Sequence, residues 1–152
     1  MKAVIQRVKE ASVSVEGKIV SQINQGLLVL ACVEKGDDEK IVDWMADKVI
    51  NLRIFPDQQG KFNLSLKDLN GEILLISNFT VCGHLKKGTR PSFHLAEEPT
   101  KAEATLRLLA EKIRQKGLMV KEGIFGAHME IFLVNDGPVT IVLEKTKPSK
   151  EG

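Results

Sequence analysis

The sequence predicts a single α+β domain, a largely antiparallel β-sheet or barrel with two principal helices. Three observations carry that expectation. Alternating or apolar runs rich in Val, Ile and Leu outnumber helical patterns, and successive runs are joined by turn signals in hairpin-like pairs. Only two stretches, well separated in the chain, repeat apolar residues at helical spacing, so there is no regular βαβ alternation. With 152 residues, 43% hydrophobic and 28% charged, the chain can bury one substantial core, and it shows no repeat and no low-complexity linker.

Taken in order, Ala3 to Lys9 alternates loosely and reads as a first strand. Ala11 to Glu16 alternates strictly, with Val13 and Val15 on one face and Ser12 and Ser14 on the other. Glu16-Gly17 is a tight turn that returns the chain through Lys18 to Ile23. Leu27 to Val33 is apolar on both faces and predicts a central strand covered on both sides. Asp37 or Asp38 then caps a helix whose inward stripe is Ile41, Val42, Met45, Val49 and Leu52, with Trp44 beside it. Pro56 to Gly60 is a turn, Asn63 to Leu66 a short extended piece, and Asn70-Gly71 a second turn. Ile73 to Ile76 is a buried strand that runs on into Ser77-Asn78-Phe79-Thr80.

Val81 to Pro99 has no periodicity, and an aperiodic stretch of that length in a compact domain marks a functional or disordered loop. Thr100-Lys101-Ala102-Glu103 matches a capping box, opening a helix to about Lys116 with Ala102, Leu106, Leu109 and Ile113 inward. Gly117 stops it. Leu118 to Glu122, His128 to Val134 and Val139 to Lys145 are strands, the last two separated by Asn135-Asp136-Gly137-Pro138, which reads as a turn. The domain therefore spans 1–145, and 146–152 is a polar tail expected to fray.

The net charge of +2 is too small to imply nucleic-acid binding from bulk electrostatics, so any RNA contact must come from a local patch. Lys86-Lys87-Gly88-Thr89-Arg90-Pro91, beside Phe93, is such a patch, either a solubility feature or a loop that touches phosphates. No signal-peptide pattern and no apolar run of membrane-spanning length is present, which predicts a cytoplasmic protein without a membrane partner. Cys32 and Cys82 lie in apolar sequence without metal spacing and are expected as reduced, buried small hydrophobes. His84, His94 and His128 show no metal spacing, and no phosphate loop or zinc signature occurs, so no cofactor and no metal is expected.

Two polar sites remain. Hydroxyls at a strand end can simply satisfy backbone groups, and a Thr80 nucleophile needs a base that only Lys86 or His84 could supply through the loop. Gly137-Pro138 is one of the few bonds in the chain that could be cis.

Several blocks, taken together, match a known pattern. They are Met1-Lys2-Ala3-Val4-Ile5-Gln6-Arg7-Val8, Gly26-Leu27-Leu28-Val29-Leu30, Leu52-Arg53-Ile54-Phe55 and Asn63-Leu64-Ser65-Leu66. Gly88-Thr89-Arg90-Pro91-Ser92-Phe93, Gly123-Ile124-Phe125-Gly126-Ala127 and Asn135-Asp136-Gly137-Pro138-Val139-Thr140 complete the set. In order and spacing the chain resembles the bacterial-type D-aminoacyl-tRNA deacylases over about Met1 to Leu143.

The resemblance implies a homodimer that hydrolyses the ester between a D-amino acid and the 3′-terminal ribose of tRNA, accepts glycyl-tRNA and rejects L-aminoacyl-tRNA. It places the family's Ser-Gln-Phe-Thr motif on Ser77-Asn78-Phe79-Thr80, with Ser77, Phe79 and Thr80 as catalytic residues. It places the Gly-cis-Pro pair, which reaches into the partner subunit's pocket, on Gly137-Pro138, with Asn78 sharing in substrate selection. On the phosphate-contact reading of their loop, Lys86, Lys87 and Arg90 are the candidate tRNA contacts. Three positions depart from the pattern: Asn78 stands where Gln is usual, Val81 where Leu is usual, and His128 where Asp is common. Two other readings differ in class: a sibling deacylase with a trans Gly-Pro bond acting on mischarged L-aminoacyl-tRNA, and a non-catalytic RNA-binding module.

Overall fold

In the computed structural model, which describes residues 1–147, the chain opens with one long hairpin. Residues 148–152 of the expected tail lie outside the described residues. Strand β1 (Lys2–Val15) is continuous where two strands were expected, because its pairing with β8 skips Lys9 and resumes at Glu10. Glu16 and Gly17 both take positive φ, 52° and 80°, the hairpin turn whose twist matches that of the strands it joins. The returning arm comes in two pieces, β2 (Lys18–Ile23) against residues 11–15 and β3 (Gly26–Cys32) against residues 2–8 of β1.

After β3 comes helix α1 (Glu39–Asn51), which buries Ile41, Val42, Met45 and Val49 of the expected stripe together with Ala46 and Ile50, while Leu52 caps its end half-buried. Asp38 is the cap, its carboxylate accepting from Ile41 N at 3.1 Å. Asp37 is engaged elsewhere, accepting from the Met1 ammonium at 2.8 Å and from Glu34 N at 2.8 Å. Strands β4 (Phe55–Pro56) and β5 (Phe62–Leu64) form a small hairpin, followed by helix α2 (Leu66–Leu69). This single turn replaces the end of the expected extended piece. Ser65 and Asp68 cap each other reciprocally, and Asn70, left-handed at φ 52°, ends it.

Strand β6 (Glu72–Ser77) runs parallel to β3, from Gly26 beside Glu72 to Ala31 beside Ser77. At Gly26 a Cβ would lie 1.8 Å from the Glu72 carbonyl oxygen, so only glycine permits this approach. The strand stops at Ser77, and Phe79–Cys82 is a short 3-10 turn rather than the expected continuation. Helix α3 (Pro99–Gln115) starts earlier than the Thr100–Glu103 pattern indicated. Glu98 caps it, accepting from Thr100 N at 3.3 Å and Lys101 N at 3.0 Å, with Pro99 in the first turn where its missing N–H costs nothing. Strand β7 (Met119–Glu122) pairs parallel to β6, and β8 (Glu130–Glu144) runs antiparallel along β1.

The sheet order is β2-β1-β3-β6-β7, with β8 on the other edge of β1. It is antiparallel around β1 and parallel where β6 and β7 join β3. Its far edge curls back, Ser21 Oγ donating to Glu122 O at 2.6 Å and Lys121 Nζ to Gln22 O at 2.7 Å, so the sheet approaches a barrel. One face, with Ile5, Leu27, Val29, Ile73 and Leu75, packs beneath the helices. The other, with Val13, Leu28, Leu74 and Ile76, packs against Met129, Ile131 and Leu133. Burial on both faces is why β3 and β6 read as continuous apolar runs. Lys112 ties α3 to α1 through Glu39 at 2.8 Å and Asp43 at 2.6 Å.

Two further expectations are overturned. The stretch Asn135-Asp136-Gly137-Pro138 is not a turn between strands but a bulge within the single strand β8. Asn135 pairs with Val8 and Thr140 with Gln6, leaving residues 136–139 opposite Arg7 alone. And Cys32 and Cys82 are not free thiols. They form a disulfide, Cα to Cα 5.9 Å, between residues 50 apart in sequence. Both are buried, as expected, and the parallel placement of β6 beside β3 swings the short turn after β6 over the end of β3.

The caps make an acid-stability prediction. Hydrogen bonds from Ile41 N and from Ser65 N and Oγ hold the carboxyls of Asp38 and Asp68 below their ordinary range. A lowered folded-state pKa means that their stabilisation is present above the unfolded value of about 4 and is lost as pH falls through the folded value. Thermal unfolding followed from neutral to strongly acidic pH should show an acid limb that is shallower in Asp38→Asn/Asp68→Asn, since Asn caps without titrating. An unchanged limb contradicts the assignment.

Candidate active site

The parallel pair β3 and β6 ends at one edge, and the polypeptide there opens a cleft of about 810 Å³. Crevices at the carboxyl ends of parallel strands are where open α/β sheets bind ligands. Cys32, Ile76 and Ser77 form part of its lining, Phe79 and Phe93 flank it, and Phe125 and His128 stand opposite in sequence on the segment before β8. Phe79 and Phe93 meet edge to face with ring centroids 5.1 Å apart. Gly83 lets the loop pass there, since a Cβ would sit 3.0 Å from the Phe93 ring and 3.1 Å from the Thr80 carbonyl.

The short turn Phe79–Cys82 is held at its start by Asn78 N donating to Ala31 O at 2.9 Å. Within it Val81 N donates to Asn78 O and Gly83 N to Thr80 O. The N–H groups of Phe79 and Thr80 open the turn, so they have no partner in it, and Asn78 offers them no side-chain cap. Two adjacent backbone donors thus stand at or beside the cleft without an acceptor among the described residues. The Asn78 side chain is occupied otherwise, its Oδ1 accepting from the Thr80 hydroxyl at 2.5 Å.

Ser77, Asn78 and Phe79 line the cleft, and Thr80 lies exposed beside them. The approach of His84 or Lys86 to Thr80 that a nucleophile would need is not seen among the described hydrogen bonds. His84 N and O pair with Ser92, and its ring faces that of His94 at 5.8 Å. His128 is exposed, as its alternation with Glu130 indicates, yet it belongs to the cleft rather than to the periphery. Lys86, Lys87 and Arg90 are exposed on the loop and make no salt bridge among the described residues.

Gly137 and Pro138 lie elsewhere. Their peptide bond is cis, and both residues are exposed at the tip of the β8 bulge. Two side chains shape it. Asn135 closes its neck, Oδ1 accepting from Val139 N at 2.8 Å while Nδ2 donates to Thr140 Oγ1 at 3.1 Å. Arg7, 7% exposed, donates from Nε to Asp136 O at 2.8 Å and from Nη1 to Ile54 O at 2.6 Å. A Cβ on Gly137, at φ 150°, would lie 2.7 Å from Val139 Cγ2. Sequence reasoning passed over Arg7 and Asn135. The available signal was an arginine at an interior position between Ile5 and Val8.

Within one chain the two sites are apart. Arg7 pairs with Leu27, Leu27 with Ile73, and Ser77 lies further along β6, so the bulge is offset both across and along the sheet. Strands about 4.8 Å apart, with a rise of about 3.3 Å per residue, put roughly 20 Å between bulge and Ser77. The outer edge of β8 pairs with nothing among the described residues, and Phe132, Val134 and Val142 are exposed on that strand at 60%, 37% and 58%. An unpaired apolar edge of this kind invites another chain.

Comparisons with known proteins agree on what this architecture is. A family profile described as D-Tyr-tRNA(Tyr) deacylase matches residues 4–144. The D-aminoacyl-tRNA deacylase of Magnetococcus marinus is 52% identical, covering 100% of both chains. That of Thermotoga petrophila is 53% identical over 97% of this chain and 99% of its own. A solved structure titled c-Myc DNA Unwinding Element Binding Protein superposes with a TM-score of 0.92 at 41% identity, covering 97% of this chain and 100% of that one. A probable eukaryotic D-amino acid tRNA deacylase, at 15% identity, shares the fold with a TM-score of 0.79, over 93% of this chain and 97% of its own. Along nearly its whole length, then, the chain belongs to the D-aminoacyl-tRNA deacylase family.

Proposed function

We propose that the protein hydrolyses the ester joining a D-amino acid, or glycine mischarged on tRNA(Ala), to the 3′-terminal ribose of tRNA, and spares L-aminoacyl esters. The observation that carries this reading is the pair of unpartnered N–H groups of Phe79 and Thr80 at the cleft. Ester hydrolysis passes through a tetrahedral oxyanion, and fixed backbone donors stabilise it most when they need no reorganisation. Membership of the family supplies the substrate class.

The attacking group is water. The Thr80 hydroxyl donates to Asn78, and no base hydrogen-bonds to it among the described residues, so no described group activates it as a nucleophile. The vicinal ribose hydroxyl of the tRNA serves instead to orient and deprotonate the water, as the family resemblance suggests. Asn78 fixes the start of the turn through its backbone and holds Thr80 through its side chain. Ser77 shapes the floor beneath the scissile carbonyl.

Chirality is read by Gly137 and Pro138 of a second copy. Roughly 20 Å separates them from Ser77 within one chain, so a shared site needs a homodimer in which each bulge enters the other's cleft. There the Gly137 and Pro138 carbonyls receive the substrate ammonium, and their backbone occupies the direction an L side chain would take. A D side chain projects outward, and glycine has none. Lys86, Lys87 and Arg90 approach the tRNA backbone as phosphate contacts, without reading sequence. The reaction takes place in the cytoplasm, where its substrate is made.

Deacylation of matched D-Tyr-tRNA, L-Tyr-tRNA and Gly-tRNA by the purified protein tests the proposal. Cleavage of the D and glycyl esters with the L ester spared is the expected result. Cleavage of the L ester points to the sibling activity, and failure to cleave any of them leaves an RNA-binding module.

Thr80→Ala separates water from threonine as the attacking group. The N–H donor survives the change, so turnover of D-Tyr-tRNA should stay within about threefold of wild type, well short of the loss expected on removing a donor. Complete loss of turnover would make Thr80 the nucleophile.

A further inference from the structure

We propose that Cys32 and Cys82 are a thiol modification site, a reversible disulfide that sets the alignment of the Phe79 and Thr80 N–H groups and with it the rate of ester hydrolysis. The inference rests on the role given to those donors above. The bond joins the last residue of β3 to the last residue of the short turn that carries them. Beyond that bond the turn is held by Asn78 N donating to Ala31 O and by the edge-to-face contact of Phe79 with Phe93. Of its four residues only Cys82 is buried, Phe79 is 58% exposed, and 3-10 hydrogen bonds are poorly aligned. Cys32, by contrast, is fixed, paired with Lys2 in the sheet.

On reduction the two sulfurs retreat from bonding to contact distance, and the turn is the part that can yield. Cys32 lines the cleft, so a small reagent reaches the pair from the substrate side even though both residues are almost wholly buried. Aminoacyl-tRNA is made where thiols are kept reduced, and disulfides in such compartments are usually transient and redox-sensing.

The chemistry closes with a hydroperoxide as oxidant. One thiolate attacks a peroxide oxygen, the O–O bond breaks, and with H₂O₂ the leaving oxygen departs as water, leaving a sulfenic acid. The second thiol attacks that sulfur, the S–S bond forms, and the sulfenic oxygen departs as a second water. A dithiol returns the two electrons by exchange through a mixed disulfide, itself ending as a cyclic disulfide.

The test uses the full chain, reduced with dithiothreitol or oxidised with hydrogen peroxide, its free thiols counted by alkylation after unfolding. Kinetics on D-Tyr-tRNA and hydrogen exchange at residues 79–83 are followed in both states. The expected result is a kcat about tenfold lower in the reduced protein, a modest share of the effect of deleting an oxyanion donor. KM should change less than twofold, exchange at 79–83 should be faster, and both properties should recover on reoxidation. Cys32→Ser/Cys82→Ser should hold the reduced rate and ignore peroxide. Equal kcat in the two states, or two thiols that persist under peroxide, overturns the proposal. If neither state hydrolyses any ester, the functional reading fails, and the switch is judged by exchange alone: a difference at 79–83 sustains it, and equal exchange overturns it.

Discussion

Strand β1 is hydrogen-bonded along both edges, and the rest of the molecule depends on that. Its inner edge is shared by β2 and β3, its outer edge belongs to β8, and the pairings run from Lys2 to Val15. Because β3 is fixed to β1, the parallel strand β6 has a place to dock, and the cleft opens where β3 and β6 end. Because β8 is fixed to the other edge, its surplus residues must leave the sheet, and they leave opposite Arg7. The buried guanidinium satisfies the Asp136 and Ile54 carbonyls together, and truncating it would strand both acceptors, at a typical cost of about 1–3 kcal/mol for each buried group left unpaired. One strand therefore positions both polar sites and keeps them apart.

That separation gives the proposed dimer its physical reason. A donor pair on a short turn can stabilise charge on a carbonyl, but it carries no information about the hand of the carbon next to it. A rigid backbone bulge can occupy one direction in space, but it offers nothing to the carbonyl. On the proposed reading the exposed edge of β8 brings a copy of the second device to the first, and neither chain completes a site alone.

Much of the fold was legible because its signals are local. The two-sided apolar runs of β3 and β6, the stripe of α1 and the Glu16-Gly17 turn each follow from side-chain periodicity or φ preference. What stayed hidden was non-local. Asn135-Asp136-Gly137-Pro138 has the same local chemistry in a turn and in a bulge, and only the pairing with Gln6 and Val8 decides between them. The Cys32–Cys82 bond joins residues that no spacing rule links. Arg7 announces itself only as a charge in an otherwise buried alternation. The end of β6 was overrun because Phe79 and Thr80 favour strands by type, while the 3-10 turn is set by contacts with β3 and the loop. Helix α2 is a case of a signal present but outweighed: Ser65 and Asp68 have capping-box spacing, but one turn is too short for apolar periodicity to show.

The central claim, that each site takes its donors from one chain and its chiral filter from the other, is tested by mixing two variants. Phe79→Pro removes one donor from the cleft, and Gly137→Ala places a Cβ 2.7 Å from Val139 Cγ2 in the bulge. Each homodimer should be inactive on D-Tyr-tRNA. After random exchange of subunits between equal amounts, half the dimers are mixed, and each mixed dimer carries one intact and one doubly impaired site. Activity should then return to about a quarter of wild type, as two-fold symmetry requires. If the mixed dimers form and no activity returns, each site belongs to a single chain and the account is wrong.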